Sequence, residues 1–123
     1  MKIAIFVHSF FPEYFYGTET YTLNLAKQLQ NKGHDPLVVT SVFPGDTKRK
    51  EPITNYVYDG IKVYCIDKNY YPYKRFKDTY YHNEMRQVYY DLLNELKPDL
   101  VHVTHLMNHT AVLLDVVSDL NIP

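Results

Sequence analysis

The chain has 123 residues, 46% of them hydrophobic and 22% charged, an ordinary globular composition that argues against a disordered tail and allows one domain with a real core. A formal net charge of -1 gives no global pull toward nucleic acid or an anionic membrane, so any such contact would have to come from a local patch. The single cysteine, Cys65, excludes an internal disulfide framework. No apolar run is long enough for a signal-peptide core or a bilayer span, and both features point to the cytoplasm.

Lys2 to Val7 is apolar at every position after the lysine, the pattern of a central parallel strand covered on both faces. An aromatic loop from His8 to Gly17 follows. Thr18 to Lys32 is then expected as a helix, with Tyr21, Leu25, Ala26 and Leu29 on one face and Gly33 at its C-terminal stop. Leu37 to Ser41 is a second covered strand, and strand, helix, strand in this order is a βαβ unit. The polar stretch Gly45 to Pro52 is expected as a surface loop.

Tyr56 to Ile66 has two β-rich arms around Asp59-Gly60, a strong hairpin signal, with the second arm joining the sheet. Asp67 to Tyr81 has no clean period. Asn83 to Leu96 is an amphipathic helix with Met85, Val88, Tyr89, Leu92, Leu93 and Leu96 in one stripe, broken by Pro98-Asp99. Leu100 to Thr104 makes a further strand and Thr110 to Leu120 a last helix. Asn121-Ile122-Pro123 is read as the lead-in to another strand, so the sheet is expected to continue beyond this chain. The expected architecture is α/β: a Rossmann-like, mostly parallel sheet flanked by helices, with a β-hairpin after the second strand.

Open parallel sheets gather ligands at the carboxyl ends of their strands, which selects two loops, His8 to Gly17 and His105 to His109. The first ends Tyr16-Gly17-Thr18-Glu19 at a helix start, where unpaired amides and the helix dipole suit a phosphate. Gly17 either admits a ligand close to the main chain or only turns the chain, and both readings stand. Glu19 would repel a bare phosphate and fits better as a hydroxyl acceptor or a structural cap. A dinucleotide fingerprint and a Walker lysine are both missing, which argues against a dehydrogenase or a P-loop enzyme.

His102, His105 and His109 invite a metal reading, but they straddle a strand, a loop and a helix start with no carboxylate or cysteine among them, so no metal is expected. His102 is expected as a hydrogen-bonded core histidine and His105 as a cleft residue. Cys65, inside a strand, is expected to be inert. Lys68 to Lys77 interleaves Tyr70, Tyr71, Tyr73 and Phe76 with Lys68, Lys74, Arg75 and Lys77. That composition suits a membrane surface or a phosphate-bearing lipid, and it would also stack on sugars or single-stranded nucleic acid. The plainer reading is a solvated loop that packs a few tyrosines on the domain.

The opening segment, with Phe11-Pro12, Gly17, Glu19, Leu25-Ala26, Leu29 and Gly33-His34, resembles the start of family-4 glycosyltransferases of the GT-B fold. YDGIKVYCI resembles the family's hairpin, KPDLVHVTHL its Pro-Asp-Val-Val-His stretch, and LNIP the segment before its next strand. The likeness spans nearly the whole chain in the correct order. One departure is Tyr16, which stands where the family has the first glycine of a pair and narrows that loop.

The resemblance implies a retaining, metal-independent transferase without a cofactor, in which residues 1–123 form the N-terminal, acceptor-side domain. A nucleotide-sugar donor would sit mainly on a C-terminal domain, with Tyr16, Gly17, Thr18 and Glu19 closing over its diphosphate. His8, Phe11, His105 and Asn108 are the candidates for the cleft and its glycan or lipid-linked acceptor. Tyr71, Tyr73, Lys74, Arg75 and Lys77 are the candidates for an acceptor or peripheral membrane patch, and no nucleic-acid partner is expected. The alternative from a different class is a non-catalytic module that binds a partner or an anionic lipid head group. The fragment alone is expected to be inactive, and the catalytic residues cannot be assigned from it.

Overall fold

A computed structural model describes all residues from 1 to 123. Eight elements follow in order: β1 (Lys2–Phe6), α1 (Gly17–Asn31), β2 (Asp35–Val42), β3 (Ile53–Tyr58), β4 (Ile61–Asp67), α2 (Met85–Leu96), β5 (Leu100–Val103) and α3 (Val112–Asp119). Single turns of 3-10 helix lie at Lys68–Tyr70 and Phe76–Thr79, in the stretch whose sequence shows no period. The five strands form one sheet in the order β3-β4-β2-β1-β5. β1, β2, β4 and β5 run parallel, while β3 pairs antiparallel with β4.

The apolar alternation of each strand separates two cores. Ile3, Ile5, Val7, Val38, Ile61 and Val63 face α1, which contributes Ala26, with Leu25 and Leu29 at the margin. Ala4, Phe6, Leu37, Val39 and Ile66 face the opposite side, against Met85, Tyr89, Leu92 and Leu93 of α2 and Leu113 and Val116 of α3. Helices thus cover both faces, as a parallel sheet requires. The α/β class, the mostly parallel sheet and the hairpin agree with the sequence analysis, with element ends shifted by a few residues.

Local signals act where the sequence places them. Asp59 and Gly60 both take positive φ, 51° and 81°, the geometry of a tight hairpin turn. Gly33, at φ 91°, lies just beyond α1. α2 stops at Lys97, left-handed at φ 49°, whose amide donates to the Leu93 carbonyl at 2.8 Å. After α3 the chain returns beside β5, where the Val101 amide donates to the Pro123 carbonyl at 2.9 Å. No helix is long and apolar enough to cross a membrane.

Candidate functional site

β1 is the fourth strand in the sheet order, flanked by β2 and β5, and His8 lies two residues beyond its carboxyl end. The His8 ring lies against that of His105, which comes after β5, with centroids 4.1 Å apart. The His105 Nδ1 accepts a hydrogen bond from the Met107 amide at 3.1 Å, so a neutral His105 carries its proton on Nε2. The His8 Nδ1 is buried and has no hydrogen-bond partner in the protein. Burial lowers the His8 pKa, His105 lowers it further, and the Glu19 carboxylate opposes both. His8 therefore favours the neutral form, with a free nitrogen at the end of an inner strand.

Glu19 lies in the first turn of α1, only 3% exposed, and its Oε1 accepts from the Tyr16 amide at 3.4 Å. It acts as a cap, one of the two roles the sequence left open. The amides of the first turn have no helical carbonyl within reach, which gives this end of α1 its positive character. Gly17 begins the helix but does not take positive φ, so an unusual backbone angle is not what the glycine supplies. A Cβ at Gly17 would meet no atom within 4 Å, so what the glycine leaves is open space above the helix start. Tyr16 is 69% exposed and stacks on Phe15, at 5.5 Å between centroids.

A polar knot underlies this site. The Ser41 hydroxyl, at the end of β2, donates to the His8 carbonyl. The Asn108 side-chain amide donates to Ser41 Oγ at 3.0 Å and approaches the His8 carbonyl at 3.5 Å. Asn108 and Thr110 both take left-handed backbone angles, φ 68° and 65°. For a β-branched residue such as Thr110 this is strained, and it persists because surrounding contacts fix the loop. One is the Thr110 hydroxyl, which accepts from the His82 amide at 2.9 Å. On the other side, the Thr22 hydroxyl donates to the Thr18 carbonyl at 2.8 Å and lies 2.9 Å from the Thr104 hydroxyl, joining α1 to the end of β5.

The histidines divide differently from expectation. His102 is exposed, because β5 is an edge strand, and of the three it is His109 that is buried. The His109 Nε2 donates to the Val7 carbonyl at 2.7 Å and its Nδ1 accepts from the Tyr89 hydroxyl at 2.8 Å. With both nitrogens engaged in an apolar setting, burial holds the His109 pKa down to about 4. His102, His105 and His109 do not converge, and no group of three His, Cys, Asp or Glu side chains is placed to hold a metal ion.

Cys65 is 5% exposed and burial pushes its thiol up to about 11, so it stays protonated. Of the patch residues, Tyr71 and Tyr73 are half-buried, Tyr73 lying edge-on to His82 with centroids 5.2 Å apart. Lys74, Arg75 and Lys77 are exposed together with Phe76, at 84%, so the apolar tip of this patch is Phe76 rather than a tyrosine. Lys68 is fully buried, its Nζ 2.8 Å from the His82 Nδ1, and burial lowers its pKa to about 8.

A mostly parallel sheet flanked by helices, with loops gathered at the carboxyl ends of its inner strands, defines an open α/β domain, an architecture that places ligands at that edge. Residues 15–123 match the sequence model of Glycosyltransferase Family 4, and the chain belongs to that family. A comparison with curated proteins found no match. The matched span includes Gly17, Glu19, His105 and Asn108, whereas His8 and Phe11 precede it.

Proposed function

We propose that this chain is the acceptor-side domain of a retaining hexosyltransferase, which moves a sugar from a nucleotide-sugar to a glycan or lipid-linked acceptor. The nucleotide is held mainly by a second domain, and the start of α1 closes on the diphosphate. The observation that carries this reading is the open space that Gly17 leaves at the start of α1, whose first turn lies near enough to His8 for the Glu19 carboxylate to act on its ring. A diphosphate there meets the free amides of the first helical turn and the positive end of the helix dipole. Glu19 is held by its capping bond to the Tyr16 amide. Neutral His8 can exchange a hydrogen bond with a sugar hydroxyl. Catalysis then depends on orienting the two substrates and shielding them from water.

The test has two arms. The complete protein is incubated with UDP- and GDP-hexoses and release of the nucleotide is followed. In parallel, the chain is titrated with UDP and GDP while the amide resonances of Gly17, Thr18 and Glu19 are observed. Nucleotide release together with shifts at these amides is expected; their joint absence overturns the reading.

A second surface supports a peripheral placement of the enzyme. Phe76 projects into solvent among Lys74, Arg75 and Lys77, an apolar tip ringed by cations that suits an anionic bilayer face. A lipid-linked acceptor would be presented at such a face.

A further inference from the structure

Behind the loop that follows β1, on the α1 side of the sheet, lies a cavity of about 350 Å³. Its floor comes from strand register. Thr40 on β2 pairs with Cys65 on β4, which pairs with Thr54 on β3, so three small side chains form one row across three strands. The preceding row, Val38, Val63 and Tyr56, is bulky and packs in the core beneath α1. The step from large to small leaves a hollow, walled by Phe10, Phe11 and Tyr14.

Three observations define what the hollow accepts. First, Thr40 lines it while only 2% exposed, and its hydroxyl is buried with no hydrogen-bond partner in the protein. A buried hydroxyl without a partner lowers stability, and valine would fill the same space without that loss. Its presence is explained if a bound molecule supplies the partner. Second, the walls offer no free charge. Arg49 and Glu13 pair with each other, the Tyr56 hydroxyl donates to the Phe11 carbonyl, and the Cys65 thiol is protonated. Third, the volume lies at the lower end of small-ligand sites, enough for one ring and too small for an oligosaccharide or a long acyl chain.

An aromatic wall, two threonine hydroxyls and no net charge suit a neutral ring with one apolar face and a hydroxylated edge. We infer that this cavity is a monosaccharide subsite that holds one uncharged pyranose ring of the acceptor, with the Thr40 hydroxyl as its buried hydrogen-bond partner. The inference rests on the transferase reading for the name acceptor, and on the cavity alone for the chemistry of the ligand.

The chain is titrated with the methyl pyranosides of glucose, galactose and mannose, with cyclohexanol as a ring lacking the sugar's hydroxyl pattern, and amide resonances are followed. At least one glycoside is expected to shift Phe10, Phe11, Thr40, Thr54 and Cys65. Thr40→Val is expected to weaken that binding about fivefold, the effect of one neutral hydrogen bond, and to keep or raise the thermal midpoint. Absence of glycoside shifts at these residues, or binding of cyclohexanol in their place, overturns the subsite. So does a Thr40→Val chain that binds the glycoside as well as the parent. In the complete protein, transfer that survives Thr40→Val with an unchanged acceptor KM removes the subsite but leaves the transferase reading intact. Glycoside binding in a protein that transfers nothing does the reverse.

Discussion

The imidazole rings of His8 and His105 lie 4.1 Å apart between centroids and 35° from parallel. Two imidazoles so close resist carrying charge together, while Glu19 pulls His8 the other way. The His8 pKa is therefore expected to rise in His105→Ala and to fall further in Glu19→Gln. The Cε1 proton of His8, followed by NMR from pH 4 to pH 8, reads both shifts. Equal titration of the parent and both variants would mean that the three groups are not coupled.

His109 sets an acid limit on stability. Folded, it resists protonation until about pH 4, whereas in the unfolded chain it titrates near its ordinary 6.5. Between these values the unfolded state binds the extra proton, so its contribution is fully present above about pH 6.5 and is lost as pH falls toward 4. The loss amounts to about 3 kcal/mol. His109→Gln should be less stable at pH 7 but lose less between pH 7 and pH 4, measured as the urea midpoint. A slope unchanged by the substitution would place the acid sensitivity elsewhere.

The knot between Ser41 and Asn108 should behave as one unit. Asn108→Ala removes the bond to Ser41 Oγ and leaves alanine at φ 68°, costing about 1–2 kcal/mol. Asn108→Gly removes the same bond without the angular strain and should cost less. Combined with Ser41→Ala, the Asn108→Ala loss should fall short of the sum of the single losses by about 0.5–1 kcal/mol in a denaturation cycle. Strict additivity would show the two side chains to be independent.

Gly17→Ala separates structure from function. The residue sits in open space at the start of a helix and without positive φ, so alanine should leave stability unchanged or raise it by up to about 1 kcal/mol. On the transferase reading the added methyl group obstructs the diphosphate, and transfer should fall about tenfold or more, the consequence of a small misplacement. A stable variant with full transfer would show that the donor does not approach this turn.

Replacing Phe76 with Ser, together with Lys74, Arg75 and Lys77 with Ala, should change stability by less than about 0.5 kcal/mol, because all four are exposed. Co-sedimentation with vesicles containing phosphatidylserine should drop about tenfold or more, since each cation near an anionic surface contributes on the order of 1 kcal/mol. Parent and variant sedimenting alike, or neither sedimenting, would dispose of the membrane contact.

The sheet was legible because its signals are local. Lys2 to Val7 reads as a doubly covered strand without knowing its neighbours, and Asp59-Gly60 dictates its own turn. The histidines were not, because burial depends on strand order: His102 is on an edge strand, while His109 reaches back to the Val7 carbonyl. Ser41, Thr22 and Thr104 carry no motif and gain meaning only from partners far along the chain. The row Thr40, Cys65 and Thr54 likewise requires the register of three strands. In the segment around Phe76, with no regular period, composition could not say which aromatic ring would face solvent.

Ser41 has a position with a thermodynamic corollary. It borders the cavity on one side of the loop, and on the other its hydroxyl supports the carbonyl of His8. A guest on either side that displaces this serine alters the affinity of the other, and linkage makes the two effects equal in size. The order in which two substrates arrive would then change the route to the ternary complex but not its total free energy.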